Sequence, residues 1–442
     1  MSAPASLSGV LGRGGVPRLL SNLGWQTSAK VLNLFLSVAA GGLVARHMAG
    51  ELSQYREAQF FVSLATPLTV IISNNVVVRR LIGTEDEGRV LGTAAALIAA
   101  SGVVFFVIIT CGALLLLESP QDRVLYIVCA FSLLTWWPIP CGHALEAHLR
   151  GRQTAIANTS GSFGMRAWEI GCALAGVGIV WFGASAALGT ALTMIMLAGA
   201  YRRWRPARKI RWTWDAKLAR SLLVESWPLV AGGLASMALF RLNLVLLRQW
   251  SGEVEASYYS AALDLPLSAQ MVAGIMLTVF FPGLTHLFAN QPERAWRRLE
   301  IFTQVCAALG WSAALVLSLG APLWTQLIYG PEFSASAMPM AILAWILPSM
   351  FLAQGRGAWL LHSRRTHIEL VYLVGGVVVD VTVAALLVPS YGAAGAAWAM
   401  VAAYAFAWVL SSFLHPHTRA LGGMQLRAFF WPVPSLGGLR SA

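Results

Sequence analysis

Carboxylates, lysine and long polar connections are what this sequence has little of. Only 19 of 442 residues are Asp or Glu. Lys30, Lys209 and Lys217 are the only lysines among 31 cations, the rest being arginine. Charged residues make up 11% of the chain and hydrophobic residues 57%, against about 25% and about 45–50% in soluble domains. A charged shell around a water-soluble core is thereby excluded. The longest connection between apolar stretches, Tyr201 to Arg220, spans about twenty residues. It is too short to fold a catalytic or nucleotide-binding domain. All five cysteines (Cys111, Cys129, Cys141, Cys172, Cys306) lie in apolar runs, with no CxxC spacing and no attendant histidines. Structural disulfides and metal sites are not expected, and these residues read as small packing side chains. No GxxxxGK[ST] segment is present, which argues against direct ATP hydrolysis. The first 25 residues lack an apolar run followed by a small-residue cleavage site, so the first span is expected to be a retained anchor.

What the chain has instead is apolar length. A membrane-crossing helix needs about 20 mainly apolar residues. Such stretches are expected at roughly 26–45, 58–78, 90–117, 124–146, 155–180 and 185–201, then at 222–247, 257–281, 299–319, 337–361, 367–388 and 392–415. Cations concentrate in every second connection: Arg79–Arg89, Arg150–Arg152, Tyr201–Arg220, Arg294–Arg298, Arg364–His367 and the tail after His415. The connections on the other side hold only Arg46, Arg56, Arg123 and Arg248. Cytoplasmic loops carry the Lys/Arg excess, so a bacterial inner-membrane protein with both termini cytoplasmic is expected. This asymmetry accounts for most of the net charge of +12, leaving no need for a nucleic-acid partner. In Tyr201–Arg220 the cations interleave with Trp204, Trp212 and Trp214, as in a segment held on anionic lipid headgroups.

The basic linker divides two similar halves. Arg46-His-Met-Ala-Gly-Glu51 matches Arg248-Gln-Trp-Ser-Gly-Glu253, Leu149-Arg-Gly-Arg-Gln-Thr154 matches Leu361-His-Ser-Arg-Arg-Thr366, and Phe182-Gly-Ala184 matches Tyr391-Gly-Ala393. Six spans per half preserve sidedness, so the repeats run parallel, with a substrate site expected between them. The expected architecture is all-α: about 12 transmembrane helices in two six-helix bundles, residues 1–205 and 221–416, with a basic linker at 206–220 and a cytoplasmic tail at 417–442.

The segments GW…AKVLNLFLSVAAGGLVARHMAGELSQY, LIYGPEFSAS, LLHSRRT and LLVPSYGAAGAAWA resemble the bacterial polysaccharide-export and O-antigen flippases of the multidrug/oligosaccharidyl-lipid/polysaccharide exporter superfamily, over about residues 20–415. The resemblance implies two bundles around a cavity that moves undecaprenyl-pyrophosphate-linked sugars outward. It also implies a polysaccharide polymerase and glycosyltransferases as neighbouring partners. The family often carries an Arg-apolar-Asp triplet in span seven, where this chain has Arg241-Leu242-Asn243.

An ionisable side chain near the bilayer centre costs about 2.5–3.5 kcal/mol on insertion scales, so each needs a reason. Span interiors hold Lys30, Arg166, Arg241 and Arg356. A pyrophosphate in a low-dielectric cavity needs compensating positive charge and paired donors, which arginine supplies. These four and Asn243 are therefore candidate substrate-binding residues. Each has a structural alternative. Lys30 can snorkel to the interface; Arg166 can neutralise Glu169 one turn away; Arg241 can pair with Asp264 at similar depth; Arg356 can pack between Gly355 and Gly357. Asp380, Asp264 and Glu169 are candidates for coupling to protons or sodium, Asp380 foremost because no partner is evident in sequence. No catalytic residue, metal site or resident cofactor is expected, and the reading is a transporter. The alternatives are a cation-coupled drug exporter, disfavoured because the first span carries Lys30 and no acid, and a membrane-embedded polymerase or ligase, disfavoured by short outward loops.

Overall fold

The computed structural model describes residues 32–432 apart from 34, 49–50, 83–85, 149, 205–210, 364 and 366. The described residues form helices and connections without strands. Lys30 lies outside them.

In the first half, α1 covers residues 35–47, α2 Leu52–Thr69, α3 Asn74–Ile82 and α4 Glu87–Leu116. They are followed by α5 Pro120–Ala130, α6 Ile139–Ala147, α7 Gly151–Ala175 and α8 Ile179–Trp204. The second half contains α9 Ala216–Ser251, α10 Glu253–Asn290, α11 Pro292–Leu319, α12 Ala321–Ile328, α13 Ala337–Leu343, α14 Ile346–His362, α15 His367–Trp408 and α16 Pro416–Phe430. By length and apolarity alone, six helices among the described residues can cross a membrane, or seven if the bent pair Pro331–Leu343 and Ile346–Leu360 is one span. Part of the difference from about twelve is physical. Helices that face an internal cleft need not be apolar all round, and α2 and α7 carry charged residues on their inner faces. The long α15 is also two spans: Gly392 has φ +53°, a left-handed conformation that glycine adopts readily. There the chain turns back, so that Gly376 meets Ala403 and Ala407.

Helices α2–α8 pack as one lobe, with α7 against α8, and α9–α16 as the other, with α15 against α9 and α11 against α14. The interior is rich in alanine, including Ala396, Ala399, Ala403 and Ala407, which lets helices approach closely. Outward-facing leucine and isoleucine remain exposed, such as Leu115, Leu116, Leu174, Ile195, Leu319 and Leu386, as a surface in contact with lipid requires. The second part of the basic linker is bound to the first lobe. Thr213 N–H donates to Gly88 O, Asp215 pairs with Arg89, and α9 begins at Ala216 with Asp215 as its cap. Arg79 and Arg80 on α3 hold Glu225 on α9. The expected tail is partly structured: α16 packs on α11 and α14, and Gln425 donates to Leu352 O and Trp408 O.

Candidate functional site

The two lobes meet at the cation-poor end through residues close to equivalent positions of the two repeats. Ser53 N–H donates to Ser257 Oγ at 3.2 Å, and Gln54 donates to Glu253 at 3.2 Å. Arg248 bridges Glu57 of the other lobe and Glu253 of its own, and Arg46 donates to Leu327 O. Deepest in this clasp, Arg56 Nη2 pairs with Asp264 Oδ2 at 2.6 Å. Contacts between related positions of parallel repeats are what an axis along the membrane normal produces.

Below the clasp, toward the cation-rich end, a cleft of about 470 Å³ opens between the lobes. Arg56, Gln59, Ser63 and Thr66 form one wall; their spacing of three and four residues places them on one face of α2. Arg166 of α7 and Arg241 of α9 complete a set of three guanidinium groups. Arg166 Nη1 donates to Glu169 at 2.7 Å, and Glu169 also accepts from Tyr55 Oη at 2.9 Å and from Ser185 Oγ at 3.3 Å. Glu169 is thus fully satisfied. Arg241 makes no ion pair or hydrogen bond with any described residue. Three arginines face two carboxylates, both engaged, and this leaves one uncompensated positive charge at mid-span. The cleft continues into a second chamber of about 460 Å³ between α6, α7 and α8. Trp136, Met165, Ala186 and Thr190 line both, and the second chamber reaches Asn74, exposed at the cation-rich end.

Several sequence expectations are rearranged by these contacts. Asp264 pairs with Arg56 and not with Arg241. Arg56, expected in an outer loop, lies on α2 because that helix already begins at Leu52, and it is only 7% exposed. Arg166 and Glu169 form the pair that their spacing allows, with Arg166 still lining the cleft. The structure does not bring Arg356 to the cleft. It is 1% exposed inside the second lobe, donating to Ser411, Ser412, Ala407 O and Glu369 and lying 4.8 Å over the Tyr372 ring. Gly355 beside it serves close packing, because a Cβ there would lie 2.3 Å from Thr303 Oγ1. Asn243 is likewise away from the cleft. Its Nδ2 donates to Asp380 Oδ1 at 2.7 Å, so Asp380 has a partner after all. Both are buried, and Asn243 Oδ1 and Asp380 Oδ2 are left without partners. Among the described residues no cluster of His, Cys, Asp and Glu suits a metal ion. Sequence reasoning missed Arg56 and the second chamber. The available signal for the chamber was the stripe Thr154, Asn158, Gly161, Ser162, Met165 on α7, polar residues at helical spacing within a span.

Residues 31–288 match the family model described as polysaccharide biosynthesis protein. The chain belongs to that family. Its fold is similar to those of solved transporters of the MOP superfamily. The lipid II flippase MurJ in an inward closed conformation has a TM-score of 0.67 at 12% identity, covering 92% of this chain and 90% of that one. A MATE multidrug resistance transporter in an inward-facing conformation has a TM-score of 0.63 at 14% identity, covering 92% and 97%. A MOP transporter from Pyrococcus furiosus, described as having a binding pocket of reverse polarity, has a TM-score of 0.59 at 13% identity, covering 94% of each. No curated protein sequence matches the chain. At these identities the likenesses establish the fold, a multi-pass membrane architecture of two lobes around a central cleft.

Proposed function

We propose that this chain is a flippase that moves undecaprenyl-pyrophosphate-linked oligosaccharides from the cytoplasmic to the outer leaflet of the bacterial inner membrane, for surface polysaccharide synthesis such as exopolysaccharide or O-antigen. The observation that carries this reading is Arg241, an unpaired guanidinium beside two others in a mid-span cleft. A half-buried cation without a counter-ion is costly, and a diphosphate entering the cleft supplies the missing negative charge with oxygens that match guanidinium donors. The cation-rich face is cytoplasmic by the positive-inside rule, so both ends of the chain are cytoplasmic. The clasp then closes the outer side while the cleft faces the cytoplasm. Rocking of the lobes exchanges the closed end, and the polyprenyl tail stays in lipid throughout. The protein makes and breaks no bond of its cargo. It works beside glycosyltransferases that build the cargo and a polymerase that consumes it, with anionic lipids around its basic linker.

The buried Asn243–Asp380 pair, with two unpartnered oxygens, supports coupling to a proton or sodium ion in the second lobe. The same fold also serves multidrug transporters, but a cleft with excess positive charge repels cationic drugs. Radiolabelled lipid-linked oligosaccharide in proteoliposomes tests the proposal. The protein is expected to translocate it without bond formation, and Arg241→Ala to lower the rate at least tenfold with folding intact. Equal rates for Arg241→Ala and the unaltered protein would remove the cleft from the mechanism.

A further inference from the structure

The second chamber is chemically unlike the arginine cleft, and binding a diphosphate leaves it without a task. Its volume of about 460 Å³ lies within the roughly 300–1,000 Å³ of small-ligand sites. No cation lines it, and its one acid, Glu146, accepts from Asn74 at 2.8 Å. The remaining polar groups are neutral. Two of them are buried and unsatisfied: His143 and Thr154 are 5% and 6% exposed, yet His143 Nδ1 and Thr154 Oγ1 have no hydrogen-bond partner. Buried polar atoms are ordinarily paired, so an orphaned pair lining a cavity marks a place for polar contents. Asn158, facing the open side, has an amide without a partner among the described residues. The Trp136 ring and the apolar Ile139 and Leu197 line the same chamber.

Neutral donors and acceptors around an aromatic surface suit one class of ligand. A saccharide presents hydroxyls to polar side chains and C–H faces to an indole, as amphipathic ligands do in mostly apolar sites with a few placed polar groups. A diphosphate finds no cation here, and a polyprenyl chain would leave His143 and Thr154 unsatisfied. Position agrees with chemistry. Thr154, Asn158, Gly161, Ser162 and Met165 recur at helical spacing along α7, and Thr154 and Asn158 precede Arg166 by roughly 18 and 12 Å along the axis. The chambers are contiguous through Trp136 and Thr190. A molecule with its diphosphate at Arg241 thus projects its first sugars toward the cation-rich end.

We infer that this chamber is a saccharide subsite, in which sugars next to the diphosphate stack on Trp136 and hydrogen-bond to Asn158, His143 and Thr154. The inference rests on the flippase reading above and extends it to the glycan. Two probes separate them: undecaprenyl pyrophosphate, and the saccharide-bearing polyprenyl-diphosphate pool extracted from cells that make this protein. Binding of each to the purified full chain is measured for the unaltered protein, Asn158→Leu, Trp136→Ala and Arg241→Ala, each checked for an unchanged melting temperature. Because Asn158 is exposed and unbonded, Asn158→Leu is expected to fold even where Trp136→Ala does not. The saccharide-bearing pool is expected to bind at least tenfold more tightly than the bare lipid. Asn158→Leu should abolish most of that increment while leaving bare-lipid affinity unchanged, and Arg241→Ala should weaken both. A tenfold increment that survives Asn158→Leu, or no increment at all, overturns the saccharide subsite while leaving the flippase reading in place. Bare-lipid binding that ignores Arg241→Ala overturns the flippase reading and the premise of the subsite with it.

Discussion

Asp264→Asn removes the charge at the deepest point of the clasp while keeping the side chain's shape and one acceptor oxygen. In the closed structure Arg56 Nη2 and Asp264 Oδ2 are 2.6 Å apart, with side chains 9% and 22% exposed. Two unit charges about 4 Å apart attract by about 4 kcal/mol at an effective dielectric of about 20. Asp264 is partly exposed, and the surviving amide oxygen still accepts from Arg56, so the net loss is smaller, about 1.5–3 kcal/mol. This pair joins the two lobes, so the loss falls on the state closed at the cation-poor end and not on the state in which the lobes have parted there. A differential of this size changes a two-state ratio by about 10–150-fold. Spin labels at Gln121 and Val254, both exposed at the cation-poor end of opposite lobes, report the change. One short separation should dominate in the unaltered protein, and a longer one should grow in Asp264→Asn. Glu118→Gln, an exposed carboxylate at the same end, should leave the distribution alone. An unchanged distribution in Asp264→Asn, or an equal change in Glu118→Gln, would refute the assignment of this pair as a gate.

Three further outcomes follow from the same contacts. Ser53→Cys with Ser257→Cys, whose parent residues touch across the lobes, should form a disulfide under oxidation that stops transport, and reductant should restore it; transport that continues in the cross-linked protein would show that the lobes need not part there. Glu253, the first residue of α10 at the cation-poor end, has its carboxyl held below the usual glutamate range, chiefly by the Arg248 hydrogen bond and against burial. Its contribution to the clasp is therefore present above the ordinary glutamate range and lost as pH falls through the lowered one, so acidification should lengthen the same label distance, and Glu253→Gln should flatten that dependence. Arg356→Met should lower the melting temperature, because it leaves the partly buried Glu369 without its cation, at about 3–5 kcal/mol for breaking a buried pair; transport per folded molecule should stay unchanged, and a selective loss of transport would place Arg356 in the cargo path.

Much of this protein was legible in its residues taken in order. Apolar length, the alternation of arginine-rich connections and the Arg46–Glu51 and Arg248–Glu253 repeat mark a membrane protein of two parallel halves, because hydropathy and sidedness are properties of single segments. The Arg166–Glu169 pair was equally legible, since neighbours three apart on one helix meet wherever that helix packs. Which cation meets Asp264 was not. Arg56 and Arg241 lie at similar depth, and the choice between them depends on the rotation of α2 and α9 about their axes, fixed by packing between residues some two hundred positions apart. The same holds for Arg356, sealed in by Ser411, Ser412 and Glu369, and for Asp380, whose partner Asn243 comes from a distant helix. The sequence determined which helices carry Arg166, Arg241 and Arg356; the tertiary structure alone decided that Arg56 joins them in the interior and that Arg241 keeps its charge uncancelled, because a carboxylate neutralises only the guanidinium that packing brings within a few ångströms.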